Sequence, residues 1–225
     1  MDSAPTTPEQ RAYHHGNLRE ALVQAGVELA REGGPSTIVL RETARRVGVS
    51  PNAAYRHFSA LPDLIDEVAL EARRRLAEAM DAELSRCEPT GDAGADAVSR
   101  LAAVGRGYIR YALAEPGLFA TAFPGCRPRA AEPTDPAPTV AARRGPFAIL
   151  QEALTAIDAA HLLADPVETA TLNAWAGVHG LSLLLLGPRA ELSEEEREAA
   201  ITHGVAFVVR GLTLTAVGRT PVRRR

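Results

Sequence analysis

Nineteen consecutive residues, Leu40 to Phe58, constrain the fold more than any other part of this 225-residue chain. They read as two short helices joined by a tight turn at Gly48. Ala44 and Val47 stand at i and i+3 and mark the inner face of the first helix. Gly48 tolerates the positive φ that a sharp turn between helices often needs. Ser50 offers its hydroxyl as N-cap, and Pro51 has its φ already set for a first helical position. Ala54 and Phe58 supply the inner side of the second helix. That leaves Asn52, Ala53, Arg56 and, part-way round, Tyr55 facing outward. Such a pair has the form of a helix-turn-helix whose second helix lies in a DNA major groove. The plainer reading is a helical hairpin with a solvated polar face.

Charge favours the first reading locally, though not globally. The formal net charge is −3, so the whole molecule is no electrostatic DNA binder. From Arg11 to Ala60, however, seven arginines (11, 19, 31, 41, 45, 46, 56) face four acids (Glu20, Glu28, Glu32, Glu42), a local +3. The nucleic-acid footprint is judged by domain, and here its sign is right. Aromatics are only 4%, and Ala, Leu, Val, Arg and Glu dominate, which favours helices over sheets.

Apolar periodicity extends an all-α reading along the chain. Met1 to Ala12 reads as a disordered arm. Leu18, Leu22, Ala25 and Leu29 mark a first helix, stopped by Gly33-Gly34-Pro35, which packs across the two-helix motif. Val39 cannot cap the helix that starts at Leu40. A helix of about 25 residues follows, from near Ser59 to Arg86, with Leu64, Val68, Ala72, Leu76 and Met80 as its stripe. Its length suits a bridge between a reading head and a separate body. Further helices are expected around Leu101 to Tyr111, from about Val140 to Leu163, from Pro166 to Leu186, and from Ser193, which begins a capping box with Glu196. Five prolines between Pro124 and Pro138 predict a loop. The expected organisation is an arm at 1–12, a helix-turn-helix domain at 13–60, a helical ligand-binding and dimerisation body at 61–217, and a basic tail at 218–225.

Other chemistries fit poorly. Cys87 and Cys126 are separated by 38 intervening residues, so neither a disulfide framework nor a zinc site is expected. His161, His179 and His203 fall on different helices without i, i+4 pairing, and no metal or cofactor is expected. Gly105-Arg106-Gly107 lacks the last Gly and the preceding strand of a dinucleotide fingerprint. Ser182 lacks the second Gly of a nucleophile elbow. Arg106 and Arg110 read as a wet helix surface. The N-terminus is polar, and the run Leu181–Leu186 is far short of a membrane span of about 20 residues, so a soluble cytoplasmic protein without a membrane partner is expected.

The chain resembles the TetR family of transcriptional regulators over Tyr13-His14-His15-Gly16-Asn17-Leu18-Arg19, Leu40-Arg41-Glu42-x-Ala44-Arg45-x-x-Gly48-Val49-Ser50 and Tyr55-Arg56-His57-Phe58. A second resemblance, Trp175-Ala176-Gly177-Val178-His179-Gly180, is similar to the C-terminal domain of one subgroup. The resemblance implies a homodimer built on the last two helices, a small-molecule pocket among the middle ones, and a repressor released from a palindromic DNA operator by an apolar or amphipathic effector. It implies that Ser50, Pro51, Asn52 and Arg56 face bases, that Tyr55 and His57 contact phosphate, and that Arg41 touches phosphate or a base edge, with Arg45 as a further contact. Ala53 and Leu61 depart from the family pattern at positions that commonly bind phosphate. Tyr108, Tyr111, Phe119, Phe147, Trp175 and His179 are the aromatic and polar groups expected to line the pocket. Two other classes stay open: an all-α enzyme, for which no catalytic constellation is visible, and a helical interaction module that no longer binds DNA.

Overall fold

The computed structural model describes residues 8–123 and 145–213, with side chains from Leu18 onward. Among these residues it is all-helical, with nine α-helices and a short 3-10 turn. The helices are α1 (Pro8–Gly33), α2 (Leu40–Val47), α3 (Pro51–Tyr55), α4 (Leu61–Leu84), α5 (Ala93–Ala114), α6 (Pro116–Ala122), α7 (Pro146–Ala159), α8 (Val167–Leu186) and α9 (Glu194–Leu212). The 3-10 turn spans Pro35–Thr37.

The local chemistry read from the sequence explains most of these boundaries. Gly48 ends α2 with φ 77° and has open space where a Cβ would stand, so the requirement is backbone conformation alone. Ser50 caps α3 by accepting from the Ala53 N–H at 3.3 Å. Val39 makes no side-chain cap at α2. Both halves of the Ser193–Glu196 capping box form at α9. Thr37 closes the end of α1 by donating to the Leu29 and Gly34 carbonyls at 2.5 and 2.7 Å.

Some elements differ from expectation. The stretch expected as an arm is helical from Pro8, where proline suits a first helical position. α7 starts at Pro146, a residue favoured at N1, with Gly145 as N-cap, and the expected start near Val140 lies outside the described residues. The proline-rich loop expected at 124–138 and the basic tail expected at 218–225 lie outside the described residues.

The chain divides into two compact units, residues 1–73 with 115–132, and residues 74–114 with 133–225. In the first unit, the head, Leu22, Val27, Ile38, Leu40, Ala44, Phe58, Leu64 and Val68 form the core. Leu118 and Phe119 of α6 are also fully buried within this unit. Gly117 permits that docking, since a Cβ there would stand 2.0 Å from the Ala30 carbonyl oxygen. Arg31 donates Nε to both carboxylate oxygens of Glu115, at 2.9 and 3.2 Å, and ties the two helices at the surface. α6 and the first half of α4, assigned by sequence to the body, thus pack with the head. Their sequence gives no sign of it because the contacts are between distant segments, about 40 residues apart for Gly26 and Val68 and 84 for Arg31 and Glu115.

In the second unit, the body, Leu76, Met80, Leu101, Val104, Ile109, Ile149, Leu154, Ile157, Ile201 and Val205 are buried. Gly107 brings α5 against the backbone of α4, with room for no Cβ: the nearest atom would be Met80 Cα at 2.8 Å. Between α8 and α9, Gly177 and Gly204 make room for the side chains of Val208 and Leu181, whose methyls lie 2.6 and 2.4 Å from where a Cβ would stand.

Candidate functional sites: an exposed two-helix turn and an apolar cavity

Two short helices and a left-handed glycine fix the outer surface of the head. Ala44 and Ala54 are fully buried against it from within. Arg41, Arg45, Ser50, Pro51, Asn52, Tyr55 and Arg56 are exposed, while Ala53 and His57 are half-buried. The sequence-predicted residues of α2, the turn and α3 are therefore open to solvent, wholly or in part. Tyr55 leaves half its area open to solvent (50%). Leu61, the second departure from the family pattern, is half-buried at the start of α4.

The arginines on this surface are not equivalent. Arg45 is held by Glu42 through two hydrogen bonds of 2.7 and 2.8 Å along α2. Arg46 grips Glu32 of α1 at 2.7 and 2.8 Å and reaches Glu42 at 3.2 Å. Hydrogen bonds from Arg45, then Arg46, hold the Glu42 carboxyl down at about 2. Arg41 and Arg56 make no ion pair among the described residues, so their guanidinium donors face solvent uncommitted. Periodicity missed one supporting contact: Arg19 stacks over the Phe58 ring at 4.7 Å and pairs with Glu67 at 3.1 Å. No local spacing signals it.

The body contains a cavity walled by α4, α5, α7, α8 and α9. Its walls enclose about 510 Å3 of atom-free space counted out to the open mouth, but a water molecule's centre fits in only about 30 Å3 of it. The smaller figure governs what enters without rearrangement. Met80, Leu101, Val104, Val178, Val205 and Val208 supply much of an almost wholly apolar wall, and Phe147 and Trp175 pack with ring centroids 5.4 Å apart.

Of the six residues expected at the pocket, Tyr108, Phe147 and Trp175 line this cavity. His179 stands behind the wall, with Nδ1 2.8 Å from the Tyr108 hydroxyl oxygen. Tyr111 is buried on α5, beyond the wall. Phe119 belongs to the core of the head, edge-on to Phe123. The valines of α9 were missed because an apolar residue facing a cavity and one facing a packed core look alike in sequence. Burial raises the Tyr108 hydroxyl above its usual range and lowers His179, which favours a neutral imidazole.

Arg106 and Arg110 also depart from expectation. Glu83 of α4 is buried, and its carboxylate takes Arg110 at 2.9 Å, Arg106 at 3.8 Å and Arg86. Arg110 further pairs with Glu198 of α9. What reads in sequence as a wet surface is an ion-pair network joining three helices.

On α8 and α9, large apolar side chains stand in the open: Leu172 is 68% exposed, Leu183 and Leu184 52%, and Phe207 73%. By length and composition, α8 is apolar enough to cross a membrane, and 28% of that stretch is buried. No group of three or more His, Cys, Asp or Glu suited to a metal ion occurs among the described residues.

Residues 101–208 match a family model described as the tetracyclin repressor-like C-terminal domain. Over 74 residues the chain is 38% identical to an uncharacterized HTH-type transcriptional regulator of Haemophilus influenzae, a match covering 31% of this chain and 36% of that protein's length. A Rhodococcus sp. RHA1 protein of unknown function is similar in structure over 90% of this chain and 98% of its own, with TM-score 0.69 and 25% identity. A TetR variant from Acinetobacter baumannii in complex with minocycline shares the fold over 84% of this chain and 93% of its own, with TM-score 0.53 and 22% identity. The relatives named for a function are transcription regulators, not enzymes.

Proposed function

The chain belongs to the TetR family of transcriptional regulators, and from that premise we propose that it is a homodimeric repressor, released from a palindromic DNA operator by a small organic effector. The observation that carries the reading is the pair of uncommitted guanidiniums, Arg41 and Arg56, flanking exposed Ser50, Asn52 and Tyr55 on a helix held by a left-handed turn. Arginine reads guanine bidentately and anchors phosphate, and the N-terminal residues of a recognition helix are those that meet base edges. Arg45 contributes less, because its donors already serve Glu42.

The exposed apolar side chains of α8 and α9 support the dimer. Large apolar side chains standing in the open are what a second copy of the same face would cover. A membrane is the other occupant compatible with α8 alone. Against it, α8 carries Glu168, Asn173 and His179 and packs on α5, α7 and α9. A two-fold dimer would present two recognition helices to half-sites ~34–36 Å apart or slightly more.

The cavity supports the effector. The minocycline complex is a precedent for a ligand in this fold, although that ligand is far larger than the free space described here. An effector must bind the released state more tightly than the DNA-bound one, and a 5- to 150-fold drop in operator affinity corresponds to ~1–3 kcal/mol of coupling.

A gel shift with the DNA upstream of the chain's own gene tests the core of the proposal. Binding that saturates at two chains per palindrome, and that weakens with an effector found by thermal shift, is the expected result. Binding no tighter than to random DNA at equal salt would reduce the molecule to a helical module without operator specificity.

A further inference from the structure

The Trp-x-x-x-His segment of α8 acquires a chemical meaning once α5 is set beside it. Trp175 and His179 are one turn apart on α8, and both converge on a single oxygen, the Tyr108 hydroxyl of α5. The indole N–H can only donate, so it donates to that oxygen. With the imidazole protonated on Nε2, the Tyr108 O–H donates to His179 Nδ1 across 2.8 Å. The result is a directed chain, Trp175 to Tyr108 to His179.

This chain is the polar component of an otherwise apolar wall. Among the described residues, Tyr108 and Trp175 are the only cavity-lining ones whose side chains carry nitrogen or oxygen; the remainder are aliphatic, Phe147, or Met80, and none is charged. A ligand carboxylate or ammonium would therefore lose its hydration without meeting a counter-charge, which is costly. A hydroxyl, being donor and acceptor at once, joins such a chain without leaving a polar group unmatched. The free space of about 30 Å3 is smaller than a ring needs, so any ring enters only as the lining side chains move apart, and a single small ring requires the least of that movement.

Building on the effector reading above, we propose that Tyr108 and Trp175, with His179 behind them, recognise the hydroxyl group of an uncharged, otherwise apolar single-ring compound. Phenols are the simplest members of that class.

The test is calorimetric titration of the full chain at pH 7.4 with three matched probes: 4-ethylphenol, ethylbenzene and 4-ethylbenzoate. The expected order places 4-ethylphenol about two- to tenfold tighter than ethylbenzene, the range of one net hydrogen bond, and 4-ethylbenzoate weakest. In Tyr108→Phe the phenol-to-ethylbenzene ratio should fall to about one. Should that variant not fold, His179→Leu leaves both lining residues in place, removes the acceptor that orients the hydroxyl, and should lower the same ratio. Equal affinity for 4-ethylphenol and ethylbenzene in the unaltered chain, a ratio unchanged in the variants, or tightest binding of 4-ethylbenzoate overturns the hydroxyl recognition while leaving the cavity as an effector site. Failure of all three probes to bind overturns the effector reading and this inference together.

Discussion

In the head, the side chains offered to a partner are polar and all lie between Arg41 and His57; in the body, they are mainly apolar and come from five helices. The head presents Arg41 and Arg56 to solvent while Ala44 and Ala54 pack inward. The body leaves Leu172, Leu183, Leu184 and Phe207 outside and keeps Tyr108 within. The contrast teaches what each surface is built to meet. A charged duplex is met by groups that stay hydrated until contact, whereas a second copy or a ring compound is met by area that water leaves readily.

The body's side of this contrast breaks most visibly at its outer face. Replacing Leu183 and Phe207 together by Glu should convert a dimer into a monomer of 23.9 kDa in light scattering. It should also cost more operator affinity than any single change in the head, since both half-sites are then no longer held together. A monomeric unaltered chain at micromolar concentration would end the dimer proposal.

Next in size are two glycines, one in each unit. Gly117→Val in the head would set a Cβ 2.0 Å from the Ala30 oxygen, and Gly107→Val in the body would set one 2.8 Å from Met80 Cα. Backbone on the far side leaves nothing flexible to yield, so each should lower stability by ~1–3 kcal/mol or more in denaturant titration. Trp175, the only tryptophan, lies in the body, so its fluorescence should follow the Gly107 variant more closely than the Gly117 variant.

The head's arginines then sharpen the comparison. Arg56→Ala should lose ~1–3 kcal/mol on the operator and relax preference at one base position. Arg41→Ala should flatten the salt dependence by about one unit if it touches phosphate. Arg45→Ala should cost least of the three. Equal losses for Arg56→Ala on operator and random DNA would show that it reads no base.

Acid separates the two units by a smaller effect. His179 is lowered by burial, so below its ordinary 6.5 the unfolded chain takes up a proton that the folded chain resists, and body stability falls as pH drops through that region. Glu42 sits at about 2 against an ordinary 4.5, so its contribution to the head is intact above 4.5 and is lost as pH falls towards 2. Thermal melts from pH 7.5 to 5 should therefore show Trp175 fluorescence weakening before circular dichroism of the whole chain. His179→Leu should remove that early limb, and a limb unchanged in the variant would assign it to another group.

How much of this was legible in the sequence follows the range of the interactions. Gly48, Ser50, Pro51, Ser193 and Glu196 did in the fold what their residue types dictate, because a cap or a left-handed turn is decided within four residues. The exposed face of α3 was legible for the same reason: helical spacing alone sorts Ala54 from Asn52 and Arg56. Tertiary structure decided everything that needed two distant segments. It sent Phe119 into the head although the preceding helix α5 and the following helix α7 belong to the body, and it gave Arg46 to Glu32. It also turned Trp175 and His179 from an unexplained pair into partners of Tyr108, about 70 residues away. Apolar side chains carry no address, since burial is non-directional and a valine gains about as much against one apolar neighbour as another. Only the packed helices determine which of them enclose a cavity.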